Sequence, residues 1–195
     1  MGKGRGDEVS RTLDILLASI LLVVSAPFLL IAMLLIRIEG GGSAIYRQTR
    51  VGLNGHEFEM LKLRTMKPGS DPVGIGTAVQ LDDPRVTGVG RWLRRTSLDE
   101  VPNLVNVLRG EMAVVGPRPT IPAQVADYTD HQKRRHEVLP GITGWAQVQG
   151  RAGIPWEDRI ELDIEYVDRR STALDLKILI KTVWLTLTGR GLAPD

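Results

Sequence analysis

One apolar segment, residues 13–37, constrains the fold of this chain more than any other feature. It reads LDILLASILLVVSAPFLLIAMLLIR, and no second apolar stretch of this length occurs in the sequence. A helix rises about 1.5 Å per residue, so this segment reaches the ~30 Å thickness of the hydrocarbon core of a bilayer. The sequence therefore predicts a single helix embedded in a membrane.

Two paths through the membrane fit this segment. Ser25 and Pro27 lie near its centre, and an interior proline removes a backbone hydrogen bond and bends a helix. Basic residues lie on both sides, for example Arg11 and Arg37, so the positive-inside rule selects no direction of crossing. These features favour a re-entrant segment that returns to its starting face, although proline also occurs in spanning helices. A cleaved signal peptide is disfavoured, because no small-residue cleavage site follows.

Composition excludes several classes of protein. The chain has 195 residues, which suits one domain plus a membrane segment. It contains no cysteine, which excludes disulfides and permits a reducing compartment. Its net charge of +2 is too balanced to indicate a nucleic-acid partner, and its three histidines lack the spacing of a metal site.

Turn and periodicity signals predict a small strand region followed by helices. Asn54 and Gly55 supply the positive φ angles of a hairpin turn between two strands. The Pro-, Gly- and Asp-rich residues 67–89 predict a long loop, and residues 140–145 predict a turn-rich loop. Trp92 lies among arginines, which suits either a headgroup boundary or a solvated helix with one core anchor. The predicted strands cover residues 44–46 and 58–64, and the predicted later helices cover residues 124–138, 156–167 and 172–188.

Two of these helices have a predicted environment. The charged helix over residues 124–138 should present a solvated or headgroup-facing surface. Ser171 can cap the last helix. That helix is apolar enough to lie against a membrane, but Asp175, Lys177 and Lys181 should prevent it from spanning.

An acidic pair, Asp99 and Glu100, lies at the start of another predicted helix. The apolar residues of that helix share one face, and Gly110 suits the position after its end. Asp99 shares the opposite face with Asn103 and Asn106, at i, i+4 and i+7 spacing. The apolar residues are Val101, Leu104, Val105 and Leu108.

Two interpretations of Glu100 remain open at this point. Ser97-x-x-Glu100 fits a capping box, in which Glu100 would only satisfy a backbone N–H. A helix that starts near Asp99 would instead place Pro102 in the first turn, where proline is tolerated, and would leave Glu100 available for chemistry.

Basic residues recur in predicted loops and strand ends, which indicates a phosphate-bearing substrate. Pro117 and Pro119 hold Arg118 in an extended segment, and a guanidinium fixed in this way can bind a phosphate bidentately. A carboxylate pair without cysteine or histidine suits Mg²⁺, and an aspartate can also act as a nucleophile. The basic residues are Arg50, Lys62, Arg64, Arg94, Arg118 and Arg151.

Several ordered segments give the chain a specific resemblance. They are RQTRVG (47–52), LKLRTM (61–66), DPRVTGVGRWLRRTSLDEVPNLVNVLRGEM (83–112), VGPRP (115–119), PGITGWAQVQGR (140–151) and LDIEYV (162–167). With these segments in this order, the chain resembles the monotopic phosphoglycosyl transferases, the bacterial sugar transferase family. The resemblance extends over almost the whole chain.

The resemblance implies an activity and a set of roles. The family transfers a sugar 1-phosphate from a UDP-sugar to a polyprenol phosphate, usually undecaprenyl phosphate, and releases UMP. Asp99 would be the nucleophile that holds the phosphosugar covalently, and Glu100 would position Mg²⁺ or assist proton movement. The pair would form the metal site. The implied substrate-binding residues are Lys62, Arg64, Arg94, Arg118, Gln147 and Arg151.

The resemblance also implies an architecture and a location. It predicts a mainly helical α+β fold with a re-entrant helix-break-helix, a small strand region and amphipathic interfacial helices. We expect a mobile basic N-terminus over residues 1–12, the re-entrant helix over 13–38 and a catalytic domain over 39–195. That domain should lie on the cytoplasmic face of the bacterial inner membrane, in contact with lipid, at the first membrane step of a glycoconjugate pathway. The family break is a Ser-Pro pair, whereas here Ser25 lies two residues before Pro27.

Two alternative functions remain open, and so does pairing of the chain with a second copy of itself. A non-enzymatic basic membrane adaptor would explain the apolar segment, but not why Asp99, Asn103 and Asn106 share a face. A spanning hydrolase would release sugar phosphate without a lipid acceptor. The sequence does not specify the sugar, and a homodimer stays open.

Overall fold

The computed structural model of the chain describes residues 5–70, 82–150 and 153–188. Helices dominate, and the predicted mainly helical α+β class is confirmed. The helices are α1 (Arg5–Gly40), α2 (Gly88–Thr96), α3 (Asn103–Arg109), α4 (Pro122–Val125), α5 (Asp130–Lys133), α6 (Trp145–Gln149), α7 (Trp156–Arg169) and α8 (Thr172–Thr188). The strands are β1 (Ile45–Val51), β2 (Glu57–Leu63), β3 (Ala113–Val115) and β4 (Gly141–Thr143).

The predicted hairpin is confirmed. Asn54 and Gly55 adopt φ values of 53° and 79°, which are the positive angles that the Asn-Gly pair predicts. The strands on either side pair antiparallel, with Tyr46 opposite Lys62. β1 is longer than predicted, because pairing with β2 extends it to Val51. The hairpin thereby fixes the position of Lys62.

A second, two-stranded sheet contributes Val114 and Val115 to the main hydrophobic core. β3 and β4 pair in parallel, with Ala113 opposite Gly141 and Val115 opposite Thr143. The strands approach so closely that a side chain at Gly141 would lie 2.1 Å from the backbone nitrogen of Gly116. β4 lies within residues 140–145, which the sequence predicted as a turn-rich loop, and its pairing with β3 fixes where the chain leaves β3 towards Arg118.

α1 runs without interruption through its proline. It is a helix of 36 residues with Pro27 inside it, and it begins at Arg5, within the segment predicted to be a basic N-terminus. The Ser25 hydroxyl donates to the Leu21 carbonyl at 2.6 Å. A serine bonded back one turn and a proline both favour bending of a helix. The re-entrant path remains a prediction.

Both ends of α1 are bonded to the same folded body. Near one end, Arg11 donates to the Val107 carbonyl at 2.6 Å, at the end of α3. At the other end, the Glu39 carboxylate accepts from the backbone N–H groups of Gly88 and Val89 at 2.7 and 2.8 Å. These N–H groups begin α2, where a helix binds negative charge well.

Among the described helices, α1 alone is long and apolar enough to cross a membrane. In its most apolar stretch of 18 residues, 11% of the stretch is buried, whereas a core helix of a water-soluble protein would be mostly buried. Ala18 packs in the main core beside Val107, and Ala32 and Ile36 pack beside Leu93. The remaining apolar surface fits contact with lipid.

α8 confirms the predicted last helix. Ser171 accepts from the Leu174 N–H at 3.3 Å and caps it, as the sequence predicts. Ile178 is fully buried, while Ile180 and Leu187 are exposed. Its exposed apolar side chains suit the predicted position against a membrane.

α2 ends the loop that was predicted over residues 67–89, of which 71–81 lie outside the described ranges. Leu93 is its buried anchor, and Trp92 is half exposed. An exposed tryptophan between arginines is the arrangement that the headgroup-boundary interpretation requires.

The single charged helix predicted over residues 124–138 is wrong. The chain instead forms α4, α5 and a short 3-10 turn, Arg134–His136. Thr129 starts a new capping box with Gln132, which interrupts any longer helix. Arg135 and His136 are buried rather than solvated, because Arg135 pairs with Asp163 in the interior.

Candidate active site

The acidic pair lies in a 3-10 turn, Leu98–Glu100, between α2 and α3. Ser97 precedes it with a φ of 56° and makes no side-chain cap, so the capping-box interpretation of Glu100 is wrong. A residue other than glycine in this left-handed conformation costs free energy, about 1–3 kcal/mol, and such residues cluster at active sites. α3 begins at Asn103, after the predicted start near Asp99, so Pro102 precedes the helix instead of lying in its first turn. Gly110 follows the end of α3, as predicted.

Glu100 is held by two cations. Lys62 donates from Nζ to Glu100 Oε1 at 2.7 Å, and Arg118 donates from Nη2 to the same oxygen at 2.7 Å. Arg118 Nη1 reaches Oε2 at 3.5 Å. Burial opposes ionisation of Glu100, but Arg118 and Lys62 outweigh it and hold the pKa of this carboxyl far below its ordinary value. Glu100 therefore stays ionised at neutral pH.

The pKa of Asp99 is shifted in the opposite direction. It is 9% exposed, and burial together with the adjacent negative charge of Glu100 raises its pKa. The charges of Lys62, Arg94 and Arg118 oppose that rise. Across the described ranges, no hydrogen bond reaches the Asp99 carboxylate, so its oxygens are available to a substrate. Two neighbouring carboxyls with pKa values pushed apart suggest two different roles.

Arg94 completes the positive side of the site. It lies on α2, and its Nε donates to the Thr65 hydroxyl at 2.9 Å. Its charge acts on Asp99. Three of the predicted phosphate-binding residues, Lys62, Arg94 and Arg118, therefore surround the acidic pair.

Two other predicted residues, Arg64 and Gln147, donate hydrogen bonds to main-chain carbonyls rather than to the acidic pair. Arg64 donates to the Ser43 carbonyl at 2.7 Å and lies over the Tyr46 ring. Gln147 donates to the Ile142 carbonyl at 3.1 Å, within the turn that starts α6. Arg151 lies outside the described residues.

The two asparagines predicted to share a face with Asp99 are buried. Asn106 accepts from the Leu61 N–H at 3.1 Å and donates to the Glu59 carbonyl at 2.7 Å. It therefore bonds α3 to the backbone of β2, the strand that carries Lys62. Asn103 is 2% exposed. Asn106 thus has a structural role that its spacing alone did not indicate.

Sequence reasoning missed Arg135 and Asp163. Their ion pair is almost fully buried, and Arg135 also donates to the Arg118 carbonyl at 2.9 Å. One signal could have found Asp163: it lies beside Ile160 and Ile164 on the inward face of α7, where an unpaired charge would be costly.

The acidic pair fits a magnesium ion that takes most of its ligands from substrate. Among the described side chains, no group of three or more carboxylates, histidines or cysteines forms a metal cage. Within residues 5–70, 82–150 and 153–188, no hydrogen bond reaches the Asp99 carboxylate, and Glu100 Oε2 has only the long contact with Arg118. Mg²⁺ commonly binds one or two carboxylates together with substrate phosphates and water. Asp99 and Glu100 could serve as those carboxylates.

Comparison with known proteins gives consistent matches. A family model described as "Bacterial sugar transferase" matches residues 6–189. The "Uncharacterized sugar transferase EpsL" of Bacillus subtilis is 42% identical over 184 residues, which cover 94% of this chain and 90% of the relative. The "UDP-glucose:undecaprenyl-phosphate glucose-1-phosphate transferase" of Caulobacter vibrioides is 45% identical over 190 residues, 93% of this chain and 71% of the relative. An Escherichia coli protein of that same name is 41% identical over 184 residues, 90% of this chain and 39% of the relative.

The raised pKa of Asp99 predicts that Asp99→Asn stabilises the folded protein. Because the folded state raises this pKa above 3.8, ionisation of Asp99 disfavours folding once the pH exceeds that value. The melting temperature in detergent at about pH 8 should rise by a few degrees, since ~2–4 °C corresponds to about 1 kcal/mol at this chain length.

The gain should shrink as the pH falls through the raised pKa of the folded state and should vanish below 3.8, where both the folded and the unfolded parent are protonated at Asp99. The exposed Asp127→Asn is the matched control and should leave the melting temperature unchanged. An equal or lower melting temperature for Asp99→Asn at about pH 8 would contradict the raised pKa.

Proposed function

The chain belongs to the bacterial sugar transferase family and is a phosphoglycosyl transferase, and we propose that it transfers a sugar 1-phosphate from a UDP-sugar to undecaprenyl phosphate. Two relatives that match at least 90% of this chain are named for this transfer with glucose. The observation that carries the proposal is the contrast between the two carboxylates. Glu100 is bonded to two cations, whereas Asp99 is buried, unbonded by the described residues and surrounded by positive charge.

In the first step, a carboxylate oxygen of Asp99 attacks the β-phosphorus of the UDP-sugar. The bond between that phosphorus and the oxygen that bridges the two phosphates breaks, and UMP leaves with the bridging oxygen. Asp99 then carries the sugar phosphate as an acyl phosphate. The absence of a hydrogen bond to Asp99 from any described residue supports this role, and its raised pKa makes the carboxylate more basic.

In the second step, a phosphate oxygen of undecaprenyl phosphate attacks the same phosphorus. The bond between phosphorus and the Asp99 oxygen breaks, which regenerates the carboxylate. The product is the sugar joined to the lipid through a diphosphate. Each step replaces one oxygen on phosphorus by another, so the two steps need no further reactant.

The cations would stabilise the charge on the transferring phosphoryl group. Fixed positive groups act most strongly where charge develops in a partly buried site. Lys62 and Arg118 are bonded to Glu100, beside Asp99, and the positive charge of Arg94 also acts on Asp99. Because Glu100 keeps a very low pKa, we assign it to positioning rather than to proton transfer.

Magnesium would be held by Glu100 Oε2 and Asp99, together with phosphate oxygens of the substrate. The ion would neutralise the diphosphate while UMP leaves. The single carboxylate of Glu100 would then orient the magnesium ion as well as the side chains of Lys62 and Arg118.

We also propose that α1 is re-entrant and that the catalytic domain lies on the cytoplasmic face. Arg11 and Glu39, near opposite ends of α1, are bonded to the same folded body. A true crossing would therefore require that body to lie within the bilayer. The cytoplasmic face follows from the proposed substrate, because UDP-sugars are cytosolic.

A panel of UDP-sugars with undecaprenyl phosphate, read as UMP release, tests the function. The panel should include UDP-glucose, UDP-galactose and N-acetylated and diamino sugars. The protein should sustain UMP release over many turnovers only when the lipid phosphate is present, Asp99→Asn should release none, and Asp127→Asn should match the parent. No release with any sugar would favour the membrane adaptor. Sustained UMP release at the same rate with and without undecaprenyl phosphate would favour a hydrolase.

Glu100→Gln should lower turnover by about 100-fold and weaken the response to Mg²⁺. The substitution removes the charge that holds Lys62 and Arg118, and the loss of one fixed electrostatic contact typically costs about 100- to 1,000-fold. Turnover measured against Mg²⁺ concentration checks this, with the exposed Glu57→Gln as control. An unchanged Mg²⁺ requirement would remove Glu100 from the metal site.

Pro27→Leu should carry the N-terminus across the membrane, because it restores the backbone donor that the proline lacks and straightens α1. The chain has no cysteine, so Lys3→Cys provides a single thiol for an impermeant maleimide applied to intact cells. Labelling should occur with Pro27→Leu but not with Pro27 or with the control Phe28→Leu. Labelling of the protein that retains Pro27 would contradict the re-entrant path.

A further inference from the structure

The segment that carries Arg118 is anchored through its carbonyl groups. Pro117 and Pro119 have no backbone N–H, so neither can donate a hydrogen bond. All four carbonyls of residues 117–120 accept one. The donors are Gly141 N to Pro117 at 2.9 Å, Arg135 Nη2 to Arg118 at 2.9 Å, Arg50 Nη1 to Pro119 at 3.0 Å and Val51 N to Thr120 at 2.8 Å.

Arg135 is the buried member of this set. Its side chain is 2% exposed, and that of its partner Asp163 is 4% exposed. Nη2 donates both to Asp163 Oδ2 and to the Arg118 carbonyl, and Nη1 donates to the Tyr128 hydroxyl at 2.8 Å. The guanidinium plane also lies near the rings of Tyr128 and Trp156, at 5.9 and 5.5 Å.

These contacts fix the direction of Arg135. A buried charge pair is retained at low cost only when its geometry and additional hydrogen bonds are good. Here Nη2 of Arg135 donates both to Asp163, on α7, and to the Arg118 carbonyl, so it connects α7 to the Arg118 backbone. The Arg118 side chain then bonds to Glu100 at 2.7 Å. A continuous set of contacts therefore runs from the interior to the acidic pair.

We propose that Arg135, held by Asp163, is a positioning residue for phosphoryl transfer that acts through Arg118. The inference rests on the proposed function of the Asp99 site. Arg135 itself touches neither carboxylate of the acidic pair. Its hydrogen bond to the Arg118 carbonyl places the guanidinium of Arg118 against Glu100 and the transferring phosphate.

Arg135→Lys is the substitution that isolates this contact. A lysine keeps the positive charge for Asp163 but replaces a planar fork with one nitrogen, so it cannot keep all three acceptors in their present geometry. Displacement of a catalytic group by about 1 Å can cost about 100-fold in rate. We therefore expect UMP release to fall by roughly 10- to 100-fold.

Arg134→Lys is the matched control. Arg134 is the adjacent residue, is partly exposed and pairs with Asp168 on the surface. Its replacement should leave UMP release within about twofold of the parent, since surface ion pairs contribute little. Gel filtration and circular dichroism confirm that both variants are folded before rates are compared.

The positioning role predicts a specific non-additivity. In a protein that already carries Arg118→Gln, adding Arg135→Lys should lower the rate by no more than about twofold, because the residue it positions is gone. A full multiplicative loss in the double variant would show that Arg135 acts only through general stability, and it would overturn the proposal.

A second measurement does not depend on activity. Phenylglyoxal modifies accessible arginines, and peptide mass spectrometry reports the rate at Arg118. Arg135→Lys should change this rate by about threefold or more, while Arg134→Lys leaves it unchanged. An unchanged rate at Arg118 in Arg135→Lys overturns the positioning, whereas no UMP release from the parent chain refutes the proposed function itself.

Tyr128→Phe serves if Arg135→Lys does not fold. It removes only the hydroxyl that accepts from Arg135 Nη1. The expected loss of UMP release is smaller, roughly two- to fivefold, and it should vanish in the Arg118→Gln protein. A loss that persists there contradicts the proposal, and so does the absence of any loss.

Discussion

The pairing of Glu100 with Lys62 and Arg118 is the interaction on which the rest of the site depends. It joins a strand, a 3-10 turn and a proline-flanked segment, and its partners lie 38 and 18 residues from Glu100 in the sequence. The two cations keep Glu100 ionised despite burial. That fixed negative charge, together with burial, raises the pKa of Asp99 beside it. Two adjacent carboxyls thereby acquire different properties, which allows one to position groups and the other to react.

Each partner in this arrangement has its own support. The β1–β2 hairpin and the hydrogen bonds from Asn106 fix the strand that carries Lys62. The parallel β3–β4 pair and the buried Arg135 fix the segment that carries Arg118. α1 is bonded at both ends to the helices that flank the acidic turn. The apolar helix and the acidic pair thus belong to one body, which suits the proposed reaction between a water-soluble donor and a lipid acceptor.

Local signals in the sequence predicted the elements that local forces determine. Asn54 and Gly55 predicted the hairpin, Gly110 the end of α3, and Ser171 the start of α8. The environment of Arg135 could not be predicted in this way, because its burial depends on Asp163, 28 residues away. For the same reason Glu100 could be interpreted as a helix cap until its distant partners were known. The roles predicted for Lys62, Arg94 and Arg118 came from the family resemblance. In the structure, Lys62 and Arg118 are bonded to Glu100, and the charge of Arg94 acts on Asp99.

The central claim is that Asp99 carries the phosphosugar between donor and acceptor. Its most direct measurement is the intact mass of the protein after exposure to a UDP-sugar without lipid phosphate, followed by peptide mapping. The account predicts a mass increase equal to one sugar phosphate, located on the peptide that contains Asp99, and its disappearance when undecaprenyl phosphate is added after the UDP-sugar has been removed. Turnover of the same UDP-sugar with no covalent species at Asp99 would contradict it.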